Sequence, residues 1–389
     1  MESSRNVFYV LIAIAAIFIL PYFGGYFYTH GLFPPGYFDF PALSAPAKAP
    51  FNLIVFIGIA GMFLILLGIV LFPKLFGAKM LPPPPKKEVP KVAYPIWFWI
   101  GLFAWGMAFT IDTLHFSEPK ILVNWTSIPL FWGLTLIIDG LVYVRTGGKS
   151  IISIHPQALI GIGTASISGW LLFEYLNFYV DDSWIYPKGN IIHQSEFVIY
   201  AVLGSSGLLP PALETYSLLN TFEGFKNRYI AGPKVKISSR LSTLFLITAL
   251  VGMFTAPFFP NQLFAILWYS PLVIIAITLE KRGIWTPFTP LKNGDWSYIV
   301  LLSVSYLIVG FLLEGFNYLS ATHVNGQLGI TYSPDYWVYS IPYVNTWHIF
   351  EMPLLGYMGY MPFGVYCAVW WIAFVTLLNI PSNFAKNGY

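Results

Sequence analysis

The segment Trp170–Tyr186 reads WLLFEYLNFYVDDSWIY and places two polar residues, Glu174 and Asn177, inside an apolar run. A Trp-x-Tyr pair, Trp184 and Tyr186, follows directly. An ionisable residue in such a run is costly inside a membrane and usually has a function or a buried partner. The segment therefore predicts a polar site at the end of an apolar helix.

A second copy of the pattern lies near the end of the chain. Residues 311–319 read FLLEGFNYL, and after an insertion residues 336–339 read YWVY. Glu-x-x-Asn and Trp-x-Tyr recur with the same internal spacing, as Glu314, Asn317, Trp337 and Tyr339. We expect the function of the protein to lie where the two copies meet.

The composition places the chain among integral membrane proteins. Its 389 residues are 57% hydrophobic and 10% charged, whereas about a quarter of a soluble domain is charged. The mean hydropathy is +0.67, and several apolar runs reach the ~18 residues that a membrane span requires. The net charge of +3 gives no indication of nucleic-acid binding, and the lipid bilayer is the expected partner. The predicted fold class is an all-α integral membrane protein.

Ten apolar segments are predicted to span the membrane. With ten spans, 17 of the 20 lysines and arginines fall on one side. The positive-inside rule then predicts a multi-pass protein of the cell membrane with both termini in the cytoplasm. The predicted spans are roughly 7–24, 52–73, 95–112, 127–145, 157–179, 196–218, 240–258, 262–280, 297–319 and 350–378.

The last eight spans resemble a duplicated four-helix unit. Besides the Glu-x-x-Asn ends, the fourth span of each unit carries Gly-x-x-Gly followed by proline, at Gly204 to Pro210 and at Gly356 to Pro362. An even number of spans per unit predicts a parallel repeat, with its axis along the membrane normal. The prolines predict kinks. The predicted organisation is a two-helix preface (1–76), a Pro-rich cytoplasmic linker (77–93), a first repeat (94–220) and a second repeat (240–378).

The predicted site lies at the outer leaflet. Carboxylates and amides beside aromatic rings suit a polar headgroup or a sugar, but they equally suit a structural network that fixes the helix ends. On the other half of the membrane, Asp139 is expected to pair with basic loop residues, and Glu214 to satisfy a backbone gap or to belong to a proton path. The candidate ligand-binding residues are Glu174, Asn177, Trp184, Tyr186, Glu314, Asn317, Trp337, Tyr339 and Glu351.

A metal centre is a bolder interpretation. His-x-x-Glu occurs near the start of both fourth spans, and together with Glu174 and Glu314 it supplies the residue types of a di-metal carboxylate site. A haem held by the two histidines is a further alternative. The candidate metal ligands are His193, Glu196, His348 and Glu351.

Two phrases, WLLFEYLNF…SWIY and FEMPLLGYMGYMPFGVY, resemble a family of uncharacterised bacterial and archaeal polytopic membrane proteins. The shared elements are W-x-x-F-E-x-x-N…W-x-Y, from Trp170 to Tyr186, and F-E-M-P-L-L-G-Y-x-G-x-x-P-F, from Phe350 to Phe363. The resemblance covers the eight-span body but not the preface. It implies a membrane fold without implying an activity, and its pattern includes neither candidate metal-binding histidine.

Three functions follow from these observations. The leading hypothesis is a membrane subunit with a ligand-binding or structural site at the outer leaflet, within a larger membrane complex. The second is a transporter of a small polar or amphipathic solute. The third is a membrane enzyme that modifies a lipid or quinone, and that depends on a metal if the Glu and His groups converge.

Overall fold

The computed structural model describes residues 2–79, 81–82 and 88–381. Ten helical segments in these ranges are long and apolar enough to cross a membrane, which confirms the predicted all-α membrane fold and its ten spans. The chain is therefore a multi-pass membrane protein in contact with the lipid bilayer. The helices are α1 (Glu2–Tyr28), α2 (Leu53–Leu71), α3 (Ile96–Thr113), α4 (Lys120–Asn124), α5 (Ser127–Arg145), α6 (Ile151–Ile154), α7 (Pro156–Asn177), α8 (Gln194–Ser205), α9 (Leu209–Asn220), α10 (Glu223–Lys226), α11 (Ser239–Thr255), α12 (Phe264–Lys281), α13 (Ser297–Leu319) and α14 (Tyr360–Leu378).

Short strands occur only between helices in the described ranges. They form three two-stranded antiparallel sheets, which pair β1 with β4, β2 with β3, and β5 with β6. All of them lie on the side of the membrane where α7 and α13 end, which is called the aromatic side. The strands are β1 (Trp184–Ile185), β2 (Ala321–Val324), β3 (Gln327–Thr331), β4 (Val338–Tyr339), β5 (His348–Ile349) and β6 (Met352–Pro353).

The opposite side, called the basic side, carries the loops that are rich in lysine and arginine, such as 226–240. Its cytoplasmic location stays a prediction of the positive-inside rule. Three of the basic residues in that argument, Lys86, Lys87 and Lys386, lie outside the described residues. So do Met80 and residues 83–87 of the predicted Pro-rich linker.

The same pairs of helices pack together in both predicted repeats. In the first, α3 packs on α5, and α9 packs on α5 and α7; in the second, α11 packs on α12, and α14 packs on α12 and α13. The two units also contact each other, because α9 packs on α13 and α14 packs on α7. These contacts are those expected of two related units around a common axis, and the duplication itself stays a prediction.

Neither fourth span is one continuous α-helix. The first stops at Ser205 and resumes at Leu209, while the second begins as a 3-10 helix, Leu354–Gly359, that continues into α14. The gap in the first and the change of helix type in the second lie before the prolines predicted to kink these spans, so that Pro210 falls in the first turn of α9. Proline is tolerated there because the first turn has no use for its missing N–H.

One side chain satisfies the backbone at the first interruption. The Ser166 hydroxyl on α7 donates to the Ser205 carbonyl at 2.5 Å and accepts from the Leu209 amide at 3.0 Å. Backbone groups inside a membrane need such partners because hydrocarbon offers none.

The first helix of the predicted preface is part of the core. Val10 and Ile17 are fully buried in the main hydrophobic cluster, and α1 packs on α11, α12 and α14. At the end of α1 the backbones are so close that a Cβ on Gly24 would lie 2.0 Å from the Phe254 carbonyl oxygen. In contrast, α2 is largely exposed and packs by Phe56 against the second repeat.

Gly364 allows α14 to approach α13. A Cβ at Gly364 would lie 2.0 Å from the Leu302 carbonyl oxygen, and one at Gly310 would lie 2.5 Å from the Tyr360 ring. Small residues at such crossings let helix backbones pack closely in a membrane.

We expect Gly364→Ala to lower the thermal unfolding temperature, because overpacking a close crossing costs ~1–3 kcal/mol. The matched control is Gly58→Ala on α2, where a Cβ would meet nothing within 4 Å. The control should be neutral or slightly stabilising, since alanine favours a helix over glycine. Thermal unfolding in detergent measures both variants. Equal unfolding temperatures for the two would contradict the close crossing.

Candidate ligand-binding cavity beside two Trp-x-Tyr strands

Glu174 is the centre of the first copy. Its carboxylate accepts hydrogen bonds from Trp170 Nε1 at 2.9 Å, Trp184 Nε1 at 3.2 Å and the Tyr186 hydroxyl at 2.5 Å. Trp170 reaches it because residues four apart share a helix face. The glutamate is only 6% exposed, so these donors replace the water that a carboxylate otherwise requires.

Asn177 fixes the chain that follows the helix. Its amide group donates to the Trp184 carbonyl at 2.9 Å, and its carbonyl oxygen accepts from the Ser183 amide at 2.7 Å. One side chain thus satisfies a backbone donor and a backbone acceptor, which sets the position of β1 beneath the helix end.

The second copy repeats this arrangement. Asn317 donates to the Trp337 carbonyl at 2.8 Å and accepts from the Trp337 amide at 3.0 Å. Glu314 accepts from Tyr339 at 2.7 Å and from Trp337 Nε1 at 3.4 Å. Its third donor is the Tyr360 hydroxyl of α14, where the first copy uses a tryptophan of its own helix.

The two Trp-x-Tyr pairs meet as the antiparallel strands β1 and β4. Trp184 lies opposite Tyr339, and Ile185 lies opposite Val338. Ile185 and Val338, which are the middle residues of the two Trp-x-Tyr segments, are therefore partners, and a local two-fold axis passes between them. The two copies thus meet through the backbone of these strands.

A cavity of about 480 Å³ lies beside this strand pair. Its wall is mainly apolar and contains lining residues from α2, α5, α7, α8, α12, α13 and α14. Its aromatic lining includes Trp170, Trp184, Tyr186, Phe197, Tyr200, Phe264, Trp268, Tyr269, Tyr306, Trp337, Tyr339, Tyr360 and Phe363, and its polar lining includes Glu174, Ser183, Ser205, Asn261, Gln262 and Asp335.

The predicted ligand-binding residues divide into three groups. Glu174, Trp184, Tyr186, Trp337 and Tyr339 line the cavity. Behind the wall, Asn177, Glu314 and Asn317 hold the strands and rings in place. Glu351 lies apart, where it accepts from His323 Nε2 at 2.9 Å and from the Tyr336 hydroxyl.

The structure does not assemble the predicted metal site. His193 accepts from the Ser195 amide at the start of α8, and His348 contacts Asn345 at 3.2 Å. Neither histidine lines the cavity, and both are exposed. Over the described parts of the chain, no three His, Cys, Asp or Glu side chains lie together as metal ligands do, with Glu196 included in that search.

Asp335 is a cavity residue that sequence reasoning missed. Its carboxylate accepts from Ser127 at 2.8 Å and from Ser333, and burial raises its pKa. The signal was a longer motif: both copies read Asp-x-Trp-x-Tyr, from Asp182 and from Asp335. The two aspartates lie in different surroundings: Asp335 lines the cavity, whereas Asp182 does not.

The loop between α1 and α2 crosses the aromatic side and is tied to both copies. Lys48 Nζ donates to the Val180 carbonyl at 2.6 Å and to the Asp181 carbonyl at 2.5 Å. Further along the loop, the Asn52 amide donates to the Tyr343 carbonyl at 2.9 Å. Burial lowers the pKa of Lys48 to about 8, against the opposing effect of the nearby aspartates.

The expected pairing of Asp139 with a basic residue is wrong. Its carboxylate accepts from Trp97, Ser150 and the Ile152 amide, all without a formal charge. Arg145 instead donates to the Thr221 hydroxyl at 2.6 Å and stacks on Phe222.

Comparisons with protein-family profiles, with curated proteins and with solved structures found no match. The likeness of the Trp-x-x-Phe-Glu and Phe-Glu-Met-Pro elements to other membrane proteins therefore stays a resemblance. The cavity and its surrounding contacts are the basis for inferring a function.

We expect Asn317→Ala to destabilise the protein strongly, because it leaves both polar backbone groups of Trp337 without their partner. Each unsatisfied buried group costs ~1–3 kcal/mol. The control is Asn345→Ala, which removes an exposed side chain whose contact is with His348. Thermal unfolding in detergent measures both, and a control as damaging as Asn317→Ala would contradict the strand-anchoring role.

Asp182 makes stability depend on pH. Burial raises its pKa from 3.8 to about 7, so the folded protein holds this proton more tightly than the unfolded chain does. Its contribution to stability is full below about pH 4 and is lost as the pH rises towards 7. In Asp182→Asn this loss is absent, and asparagine accepts the left-handed backbone of φ 51° found there.

The unfolding temperature of Asp182→Asn minus that of the natural protein should therefore grow from pH 4 to pH 7 and level off above. Unfolding scans of both proteins across this range supply the measurement. A difference that stays constant, or shrinks with rising pH, would show that the proton at Asp182 is not held by the fold.

Proposed function

We propose that this membrane protein binds an amphipathic, largely apolar molecule in the cavity beside β1 and β4. The observation that carries the proposal is the cavity itself, which encloses about 480 Å³, is mainly apolar and rich in aromatic rings, and has a few polar groups at fixed positions. Sites for small molecules and cofactors have this character and typically enclose ~300–1,000 Å³.

The two Glu-x-x-Asn motifs hold the aromatic wall of this site in place. Each glutamate accepts from rings of the Trp-x-Tyr strand, and each asparagine holds that strand by its backbone. Rings held in this way lose little entropy when a ligand stacks on them, because their orientation is already set. The structural and the ligand-binding interpretations of the motif are thus two aspects of one site.

The charge of the lining favours a neutral or cationic polar end. Glu174 and Asp335 are acidic, and among the described residues no lysine, arginine or histidine lines the cavity. An anionic headgroup would meet carboxylates without a counter-charge, which is costly in a buried site. Tryptophan and tyrosine faces, in contrast, attract a cation.

The ligand is proposed to come from the lipid phase. Val55 and Ile59 of α2 line the cavity, while Ile54 and Ile57 on the same helix are 83% and 61% exposed. One face of α2 therefore borders the cavity, while its other face is exposed to the surrounding hydrocarbon. Because α2 packs on the rest of the protein through few residues, it is the simplest route of entry from the lipid.

A transporter is the second candidate, favoured by the irregular helical geometry of both fourth spans. Several residues at these irregular points line the cavity: Ser205 and Leu208 at the gap of the first span, and Gly356, Gly359 and Tyr360 in and just after the 3-10 turn of the second. Discontinuous helices form the sites of many transporters. Roles in a larger membrane complex and in catalysis on a lipid or quinone stay predictions from the sequence.

Ala201→Trp tests the binding proposal, because it fills the cavity from α8 without removing a hydrogen bond. Its control, Val251→Trp, adds the same ring on the exposed face of α11. The probe is a pyrene-labelled dodecyl trimethylammonium, added to protein in nanodiscs and followed by energy transfer from tryptophan. We expect saturable binding to the natural protein and the control, and at least ~10-fold weaker binding to Ala201→Trp.

The same chain with a sulfate headgroup should bind more weakly than the trimethylammonium probe. Equal binding of the cationic probe to both tryptophan variants would overturn the cavity as its site. Equal binding of the two probes would instead remove only the preference for a neutral or cationic end.

A further inference from the structure

A second pair of carboxylates lies away from the cavity, in the half of the membrane nearer the basic side. Asp139 on α5 is 0% exposed and Glu214 on α9 is 1% exposed. Neither residue lines the cavity or belongs to the Glu-x-x-Asn motifs. Two acidic groups buried together in a membrane need either counter-charges or protons.

Asp139 is surrounded by donors. Trp97 Nε1 and the Ser150 hydroxyl each donate to its Oδ1 at 2.8 Å, and the Ile152 amide donates to Oδ2 at 3.1 Å. Three donors on one carboxyl group suit its ionised form, which only accepts hydrogen bonds.

Glu214 has the opposite environment. Both of its carboxyl oxygens are buried, and neither receives a hydrogen bond from any donor in the described parts of the chain. Its polar neighbour is the Asp139 carboxyl, which lies within hydrogen-bonding reach. An ionised Glu214 would therefore be a buried charge with no partner, beside a second negative charge.

A hydrogen bond between two carboxyl groups requires a proton on one of them. Because Asp139 already accepts three bonds and Glu214 accepts none, the proton belongs on Glu214. Among the charged groups of the elements packed on α9, Asp139 is the one whose charge acts on Glu214.

We propose that Asp139 and Glu214 form a proton-binding site, in which Glu214 carries the proton and donates it to Asp139. Release of this proton leaves two carboxylates facing each other between α5 and α9. The proton therefore holds these two helices together. The proposal is independent of the ligand in the cavity, although Glu214 lies only about 9 Å along the helix axis from Leu208, the cavity residue that directly precedes α9.

Infrared spectroscopy of the purified protein tests the site, because a protonated carboxyl has a C=O stretch distinct from that of a carboxylate. At neutral pH, Glu214→Gln should lack one carboxylic-acid band that the natural protein shows, and that band should shift when glutamate is labelled with ¹³C. The control Glu223→Gln, at an exposed glutamate of α10, should keep the band.

Glu214→Gln should also fold normally, since its amide can donate to Asp139 as the protonated acid does. If that variant does not fold, Glu214→Asp supplies the assignment: it keeps a carboxyl group, and the band should lose its dependence on labelled glutamate. A natural protein without any band that depends on residue 214 would overturn the proposal. So would a band that follows labelled aspartate in the natural protein, because the proton would then lie on Asp139.

Discussion

The aromatic side of this protein depends on the amide groups of two buried asparagines. Asn177 donates to the Trp184 carbonyl and accepts from the Ser183 amide, and Asn317 donates to and accepts from the backbone of Trp337. A two-residue strand has too little pairing to position itself, and a loop at a membrane surface has many alternative conformations. With the asparagines in place, β1 and β4 can pair, their rings can reach the glutamates, and a cavity wall of defined shape results.

The two copies share this frame but differ in what surrounds it. Glu174 faces the cavity, while Glu314 is 0% exposed behind the wall and takes a donor from α14. The aspartate that precedes the tryptophan contributes to the cavity only in the second copy, as Asp335. The first copy instead receives the α1–α2 loop through Lys48. The two Glu-x-x-Asn motifs and the paired strands β1 and β4 are related by a local two-fold axis, but the cavity beside them is a single, asymmetric site.

Much of the fold was predictable because hydrophobicity alone determines a membrane span. The ten spans followed from the length of the apolar runs, and the burial of Glu174 and Glu314 followed from their position inside two of these runs. The cavity did not, because its wall combines elements from Phe40 to Phe363 that no local pattern connects. Strands of two residues have no detectable period, which is why the pairing of Trp184 with Tyr339 was missed. Asp335 was overlooked because a loop aspartate beside serine and proline resembles an ordinary turn.

Ser166 gives the interrupted fourth span of the first unit a mechanical property. Its hydroxyl joins the last carbonyl before the gap to the first amide after it, and it belongs to α7 rather than to the gap. Glu174 lies eight residues further along the same rigid helix, about 12 Å away. The gap is therefore not a free hinge, because a displacement of either half-helix pulls on α7. A shift of α7 would therefore also move the carboxylate of Glu174, which holds the rings of Trp184 and Tyr186 in the cavity wall.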